Sequence, residues 1–414
     1  MTEIPIRPSI ERRARPQRWA VAALTLTLFF GLAQGCKSQP SAHDACSVAN
    51  AACPYVARLL AQREGYGRNA TGGLNGAVAV VTSSADSGPG TLRDIMERAR
   101  QPVWIRFGQD MTIQLQSAVH ARSNMTIDGR GHKVTVTDYG FSVGRVNNII
   151  ITHLTIDGRS ETLGKAVILG AATNVWLDHL DLSRFNDRLI DVKEGSGDVT
   201  LSWIKFHDDN KVMLLNNVVG GADKDLFKDY DRDSVSRVTL HHNYFLNTVQ
   251  RNPRAVIGNY HLFNNLLENW DFYGMAFSLE ARALLEGNVF DNISARQCME
   301  PQVYHTIEDV DRNYCHGIPT AGQRSVLNDV DRKMYDGSNP VYHYTHDSKA
   351  FLMFRDNLFL HDAQSTATDY KPESVPKPPY CYSYQTANAA LEDEIRKDAG
   401  NTPYDTTLPL TRCP

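Results

Sequence analysis

The sequence predicts an all-β protein, a single-stranded right-handed parallel β-helix with an N-terminal capping helix and a loop-rich C-terminal tail. Three observations lead there. Strand-like segments recur with starts at 124, 148, 174, 198, 237, 260 and 283, at steps of 24, 26, 24, 39, 23 and 23 residues. A period of this size marks a solenoid, in which each unit buries its apolar face against the next. The segments alternate apolar with polar residues and are rich in β-branched types, which is the two-residue period of strands. Asn243, Asn265 and Asn288 hold nearly one phase of successive units, at steps of 22 and 23. Asn tolerates the left-handed backbone of a tight bend, and its amide can bond to the Asn above and below.

Taken in order, residues 1–36 read as a secretory signal. Arg7, Arg12, Arg13, Arg15 and Arg18 precede an apolar run from Trp19 to Ala33 that ends in small residues. Fifteen residues fall short of the about 20 that span a bilayer. Ala33-Gln34-Gly35-Cys36 resembles a bacterial lipoprotein box, so membrane anchoring through a lipidated Cys36 and simple secretion both stay open. Removing Cys36 leaves six of the seven cysteines, an even number suited to disulfides in an exported protein. The simplest pairing is Cys46–Cys53, Cys298–Cys315 and Cys381–Cys413, one of many connectivities. No cysteine stands at metal-ligand spacing from a histidine, so a zinc site is not expected.

Residues 37–63 form a linker and an N-terminal helix, with Val56, Leu59 and Leu60 at helical spacing. Residues 64–292 form the β-helix. Its longest step holds an insertion, roughly residues 216–234, of the kind that builds a binding face on one side of a solenoid. Residues 293–414 lose the period except near 351–359, and are expected to be a loop-rich extension packing on the coils.

The formal net charge of −4 argues against a nucleic-acid partner held by a basic surface, so an anionic ligand needs a local cluster of cations. A monomer is expected. Charge concentrates in four stretches, Trp176-Leu-Asp178-His179, Asp187-Arg-Leu-Ile-Asp191-Val-Lys193, Asp208-Asp-Asn-Lys211 and Gln250-Arg251-Asn-Pro253-Arg254. Asp187 and Asp191 stand an even number of residues apart, so both carboxylates emerge on one face of an extended strand. Such a pair suits Ca²⁺, or is a plain solvated face. Lys193, Lys211 and Arg251 add cations from successive coils, the set a polyanionic sugar acid would need. His179, His241, His242 and His261 lie inside the strand pattern and read as satisfied strand histidines. Asp178 reads as a buried acceptor fixing a turn, and Trp203 and Trp270 either stack on sugar rings or pack in the core.

Several motifs together resemble the pectate lyase family, polysaccharide lyase family 1. They are Glu64-Gly-Tyr-Gly-Arg-Asn-Ala-Thr-Gly-Gly73, Asp86-Ser-Gly-Pro-Gly-Thr-Leu-Arg93, Asn174-Val-Trp-Leu-Asp-His179, Leu189-Ile-Asp-Val-Lys193, Lys211-Val-Met-Leu-Leu, Arg251-Asn-Pro-Arg254 and Phe263-Asn-Asn265. The likeness covers roughly residues 64–292. It implies an extracellular enzyme that cleaves polygalacturonate by β-elimination, leaving an unsaturated sugar end. It further implies that Arg251 is the base, exposed in a groove, that Asp187 and Asp191 ligate Ca²⁺, and that Lys193, Lys211 and Arg254 bind substrate.

The chain departs from the family pattern in three places. Lys165 stands where the family has another calcium-binding Asp, Arg188 replaces a Gly, and Val256 replaces a second Arg. Lys165 or Arg188 standing in for the metal is therefore an alternative, as is a calcium-independent, pectin-lyase-like enzyme acting on methylated pectin. A non-catalytic pectin-binding β-helix is another. A hydrolase would need clustered aspartates, and Asp208-Asp209 is the only adjacent pair on offer.

Overall fold

Apolar residues alternate along the repeat strands, so each strand has one side to turn inward, and the chain coils to bring those sides together. The computed structural model describes residues 46–159, 164–185, 187–216, 230–271, 273–292, 325–328, 349–361, 363–365 and 367–402. All pairings between its strands are parallel, each strand bonding to its counterpart one coil on, and the chain is the right-handed parallel β-helix expected. The first face holds Ala77–Val81, Val103–Phe107, Met125–Asp128, Asn147–Thr152, Thr173–Asp178, Gly197–Ser202 and Arg237–His241. The second holds Val119–His120, Phe141–Gly144, Lys165–Gly170, Arg188–Lys193 and Met213–Leu215. Arg254–Phe263 and Met275–Glu286 run through both, joining them into one 16-stranded sheet beside a 9-stranded third face.

Register stacks like on like. Ile105, Ile127, Ile151, Leu177, Leu201, Leu240, Leu262 and Leu285 follow one another in a single interior row. On the third face Phe206 stacks on Phe245 with ring centroids 4.8 Å apart, and Phe290 on Phe359 likewise at 4.8 Å. Because each row is continuous, an interior side chain has neighbours above and below, and the core has no break between coils.

The asparagine ladder forms and runs one step further than the sequence suggested. The Asn243 Nδ2 donates to Asn265 Oδ1, Asn265 Nδ2 to Asn288 Oδ1 and Asn288 Nδ2 to Asn357 Oδ1, each at 2.9 Å. The left-handed residue of each bend is not the ladder asparagine but the residue before it, His242, Asn264 or Gly287. With the preceding residue making the bend, the asparagine amide is free to point along the stack.

The N-terminal helix expected within residues 37–63 forms as Pro54–Ala61 and lies on the outer surface of the first face, with Tyr55, Val56 and Leu59 against Trp104, Ile150 and Trp176. The helix that closes the end of the interior core is Leu92–Arg98, which inserts Leu92 and Met96 beside Val81 and Val103. Between the two helices the chain hugs the sheet so closely that a Cβ on Gly73 would meet Val103 O at 2.0 Å.

Past residue 292, Phe351–Arg355 pairs with the Arg282 end of Met275–Glu286, and Leu358–His361 pairs with Val289–Asn292. The coils therefore continue beyond the boundary expected from the period, which the intervening residues had hidden. The tail then crosses the first face through Tyr380 and Tyr382 and forms the helix Ala389–Asp398, whose Leu391 and Ile395 pack on Tyr244, Leu266 and Val289 of the third face. Cys46 and Cys53 form a disulfide, and Cys381 is also disulfide-bonded. Cys36, Cys298, Cys315 and Cys413, the signal segment and most of the insertion lie outside the described residues. Among the described residues no helix is long and apolar enough to cross a membrane.

Candidate active site

The residues of interest stand on the outer side of the second face. Strand Arg188–Lys193 turns Ile190 and Val192 into the core, which leaves Asp191 and Lys193 on the outside. Register sets the neighbours: Lys165 pairs with Arg188 across one coil step, Asp191 with Leu214, and Leu214 with Arg254. Lys211 bridges to Gln250, the residue before Arg251. Cations from four coils thus fall into adjoining rows about 5 Å apart.

Asp187 and Asp191 do converge, but on two basic side chains. Lys165 Nζ lies 3.1 Å from Asp187 Oδ2 and 3.3 Å from Asp191 Oδ2. Arg188 Nη1 lies 3.0 Å and 3.4 Å from the same two oxygens. Burial works to raise the Asp187 carboxyl, yet Arg188 and Lys165 outweigh it, with Lys211 adding to them, and hold it below its ordinary value. Asp191 is almost fully buried, and its Oδ1 accepts no hydrogen bond.

Arg251 sits in the turn after Gln250, in the left-handed region with φ 65°, followed by a cis Asn252–Pro253 bond. It is half-buried rather than exposed, because this turn lies down on the preceding coil, with Met213 N donating to Arg251 O at 2.8 Å. Among the described residues no carboxylate pairs with its guanidinium, and its Nε is buried without a partner. Burial lowers the guanidinium below its ordinary value, Arg254 and Arg188 push it further down, and Tyr273 and Asp187 act in the opposite sense. Lys193 stands further along its strand, with Glu194 Oε1 3.7 Å from its ammonium.

Asp209 belongs to this site by position. Its carboxylate accepts from Phe185 N at 2.8 Å and from Lys211 N at 3.1 Å, tying the turn before Asp187 to the turn that carries Lys211. Burial pushes its carboxyl up to about 8 against those two bonds. Asp208 is held by His207 at 2.7 Å. Both aspartates are thus engaged, Asp209 with backbone amides and Asp208 with His207. The sequence showed this pair, but cross-coil backbone bonding is not visible in it. Val256, in place of the family's second arginine, is buried on Ile257, Leu279 and Tyr230.

The remaining candidates pack. His153, His179, Trp203 and His242 stack in a column on the first face, with successive ring centroids 4.6, 5.8 and 4.5 Å apart. Asp178 accepts from Ser202 Oγ at 2.6 Å and pairs with His179 Nδ1 at 2.7 Å. Burial brings the His242 imidazole down to about 3. His241 lies against Phe263, His261 bonds Glu286 at 3.0 Å, and Trp270 faces Phe290 in the core. His153, Asp178 and His179 are close enough to share an ion; His153 Nδ1 lies 2.6 Å from Thr152 Oγ1, and His179 Nδ1 is bonded to Asp178 within the same column.

The pectate lyases of the family are generally calcium-dependent. Calcium takes about six to eight oxygen ligands. Here the two carboxylates that would bind it already hold an ammonium and a guanidinium between them, and the third acidic position is Lys165 itself, so the residues present do not fit the ion.

Comparison with known proteins agrees with this arrangement of coils. A putative pectate lyase 21 of Arabidopsis thaliana is 36% identical over 248 residues, 55% of this chain and 60% of its own length. The chain thus spans about three fifths of that relative. A putative pectate lyase 2 of the same plant is 32% identical over 69% of this chain and 81% of its own length. Among solved structures, the cedar pollen allergen jun a 1 matches with a TM-score of 0.54 at 25% identity, over 82% of this chain and 92% of that one. A Bacillus sp. N165 pectate lyase in complex with trigalacturonate matches the fold with a TM-score of 0.56 at 22% identity, over 82% of this chain and 98% of that one. A family model for pectate lyases matches residues 109–403, well over half of the sequence, and the chain belongs to the pectate lyase family.

Proposed function

We propose that the protein is an exported lyase that cleaves polygalacturonate by β-elimination, with Arg251 as the base. The observation that carries this reading is the state of Arg251: half-buried, unpaired with any described carboxylate, and pushed towards the neutral form by burial and by Arg254 and Arg188. An arginine is otherwise protonated at all ordinary pH values and useless as a base.

Arg251 takes the proton from C5 of a galacturonate residue. The electron pair left behind forms the C4–C5 double bond, and the bond from C4 to the glycosidic oxygen breaks with its pair on that oxygen, which then takes a proton from water. The carbanion-like charge at C5 spreads into the adjacent sugar carboxylate, so cations on that carboxylate stabilise the transition state more than the ground state. Lys211 and Arg254, in the rows beside Arg251, suit this task, and Lys193 suits a neighbouring sugar residue. Support for the substrate class comes from the trigalacturonate bound to the Bacillus protein. Support for export comes from the arginine-then-apolar N-terminus and the Cys46–Cys53 disulfide.

The test is to incubate the purified protein with polygalacturonate and with methylated pectin, following both ultraviolet absorbance of the unsaturated product and reducing ends. Absorbance growing with reducing ends on polygalacturonate is the expected result. Preference for methylated pectin would move the substrate to the ester, reducing ends alone would mean hydrolysis, and neither would leave a binding protein.

A further inference from the structure

We infer that Lys165 and Arg188 take the place of a divalent cation between Asp187 and Asp191, so that the site meets its anionic substrate with the chain's own charges and works without calcium. This rests on the lyase reading for its activity arm, but not for its binding arm.

The geometry is that of a filled site. Each cation contacts both carboxylates, at 3.1 and 3.3 Å for Lys165 Nζ and at 3.0 and 3.4 Å for Arg188 Nη1. A divalent ion that bridges two carboxylates does the same job from the same position. The two basic groups are held there by the fold: Lys165 and Arg188 are register partners on adjacent strands, with side chains only 21% and 15% exposed. Two negative and two positive groups leave the cluster without net charge. Nothing in it attracts a further cation, and an incoming ion would meet an ammonium and a guanidinium at close range. Within this cluster, among the described residues, a single buried carboxylate oxygen is left without a partner, Asp191 Oδ1, far short of the about six to eight that calcium takes. Arg188 does double duty, since it also lowers the Arg251 guanidinium, so the replacement for the metal and the activation of the base are coupled in one side chain.

The test uses the full chain, stripped with chelator and dialysed. Calcium chloride is titrated calorimetrically, and the thermal midpoint is followed with and without the ion. We expect no binding heat and no change of midpoint up to millimolar calcium, and an elimination rate on polygalacturonate unchanged by excess chelator. In the Lys165→Asp, Arg188→Gly double variant the carboxylates are freed, and calcium should bind and raise the midpoint by several degrees. Saturable calcium binding by the unaltered chain at micromolar concentration, or a rate that chelator abolishes and calcium restores, would overturn the inference. A variant that folds, as judged by circular dichroism, yet still ignores calcium would overturn it too. If the variant does not fold, the titration of the unaltered chain decides alone. If no unsaturated product forms under any condition, the lyase reading fails while the titration still reports on the cations.

Discussion

Arg251 couples a left-handed backbone to a perturbed side chain in one residue. A left-handed φ on a residue with a Cβ costs about 1 kcal/mol or more, and it persists where the surroundings over-determine it. Replacing Arg251 by Ala should lower the rate of unsaturated product by about 100-fold to 10,000-fold, the usual contribution of a general base, while the thermal midpoint stays within a few degrees. Residual activity near that of the unaltered chain would remove Arg251 from the reaction. Because the base must lose its proton, the rate should climb as pH rises above neutrality. Arg254 helps to lower the guanidinium, so Arg254→Gln should move the whole pH–rate profile to higher pH, whatever it does to the maximum. A profile that stays in place or moves down would refute that role. At this scale the sequence was informative where function sits in a local string, as in Arg251-Asn-Pro-Arg254. It singled out Asp209, Val256, Lys165 and Arg188, but not the contacts they make: the two backbone amides on Asp209, the apolar packing of Val256, or Lys165 and Arg188 both clasping the same two oxygens. Those depend on which residue lies one coil away, which the register decides and a one-dimensional string does not display.

Between coils, the bends and their ladders carry the stability of the solenoid. Asn265 is fully buried, accepts from Asn243 N and Nδ2, and donates to Asn288 Oδ1 and Leu240 O. Asn265→Ala would orphan groups on both sides at once, so we expect a loss of about 3 kcal/mol or more in chemical denaturation, and a loss below about 1 kcal/mol would show that water fills the gap. On the third face His207 ties two coils, with Nε2 at 3.0 Å from Asp181 and Nδ1 at 2.7 Å from Asp208. Burial lowers its imidazole, but the two carboxylates prevail and carry it from 6.5 up to about 9. A base raised in the folded state adds stability that is complete below its unfolded value and disappears as pH climbs through the folded one. The stability gap between the unaltered chain and His207→Gln should therefore be roughly 2 kcal/mol near pH 6 and close towards pH 10; a gap that does not vary with pH would exclude a charged imidazole. The repeat strands were legible because their period recurs. The helices Leu92–Arg98 and Ala389–Asp398 were not, although Thr91 and Asn388 cap them, because each is short and its apolar spacing lasts little more than one turn, Leu92 with Ile95 and Met96, and Leu391 with Ile395.

Over the whole molecule, two charge distributions compete for a polyanion. The chain as a whole carries a formal charge of −4, which repels it, whereas the outer side of the second face gathers Lys165, Arg188, Lys193, Lys211, Arg251 and Arg254 against Asp187, Asp191 and Glu194. Salt tells which distribution governs association, because screening weakens whichever one dominates, with a Debye length of about 10 Å at 0.1 M. If the global charge ruled, added salt would relieve repulsion and lower KM. If the local strip rules, as the rows of cations imply, KM for polygalacturonate should rise several-fold between about 0.05 and 0.5 M sodium chloride. The turnover number should change little, since charges inside a half-buried cluster are poorly reached by mobile ions. The effect should shrink for a short oligogalacturonide, which spans fewer of the cations. A KM that falls with salt would show that the basic side chains are too well neutralised by their own carboxylates to attract substrate.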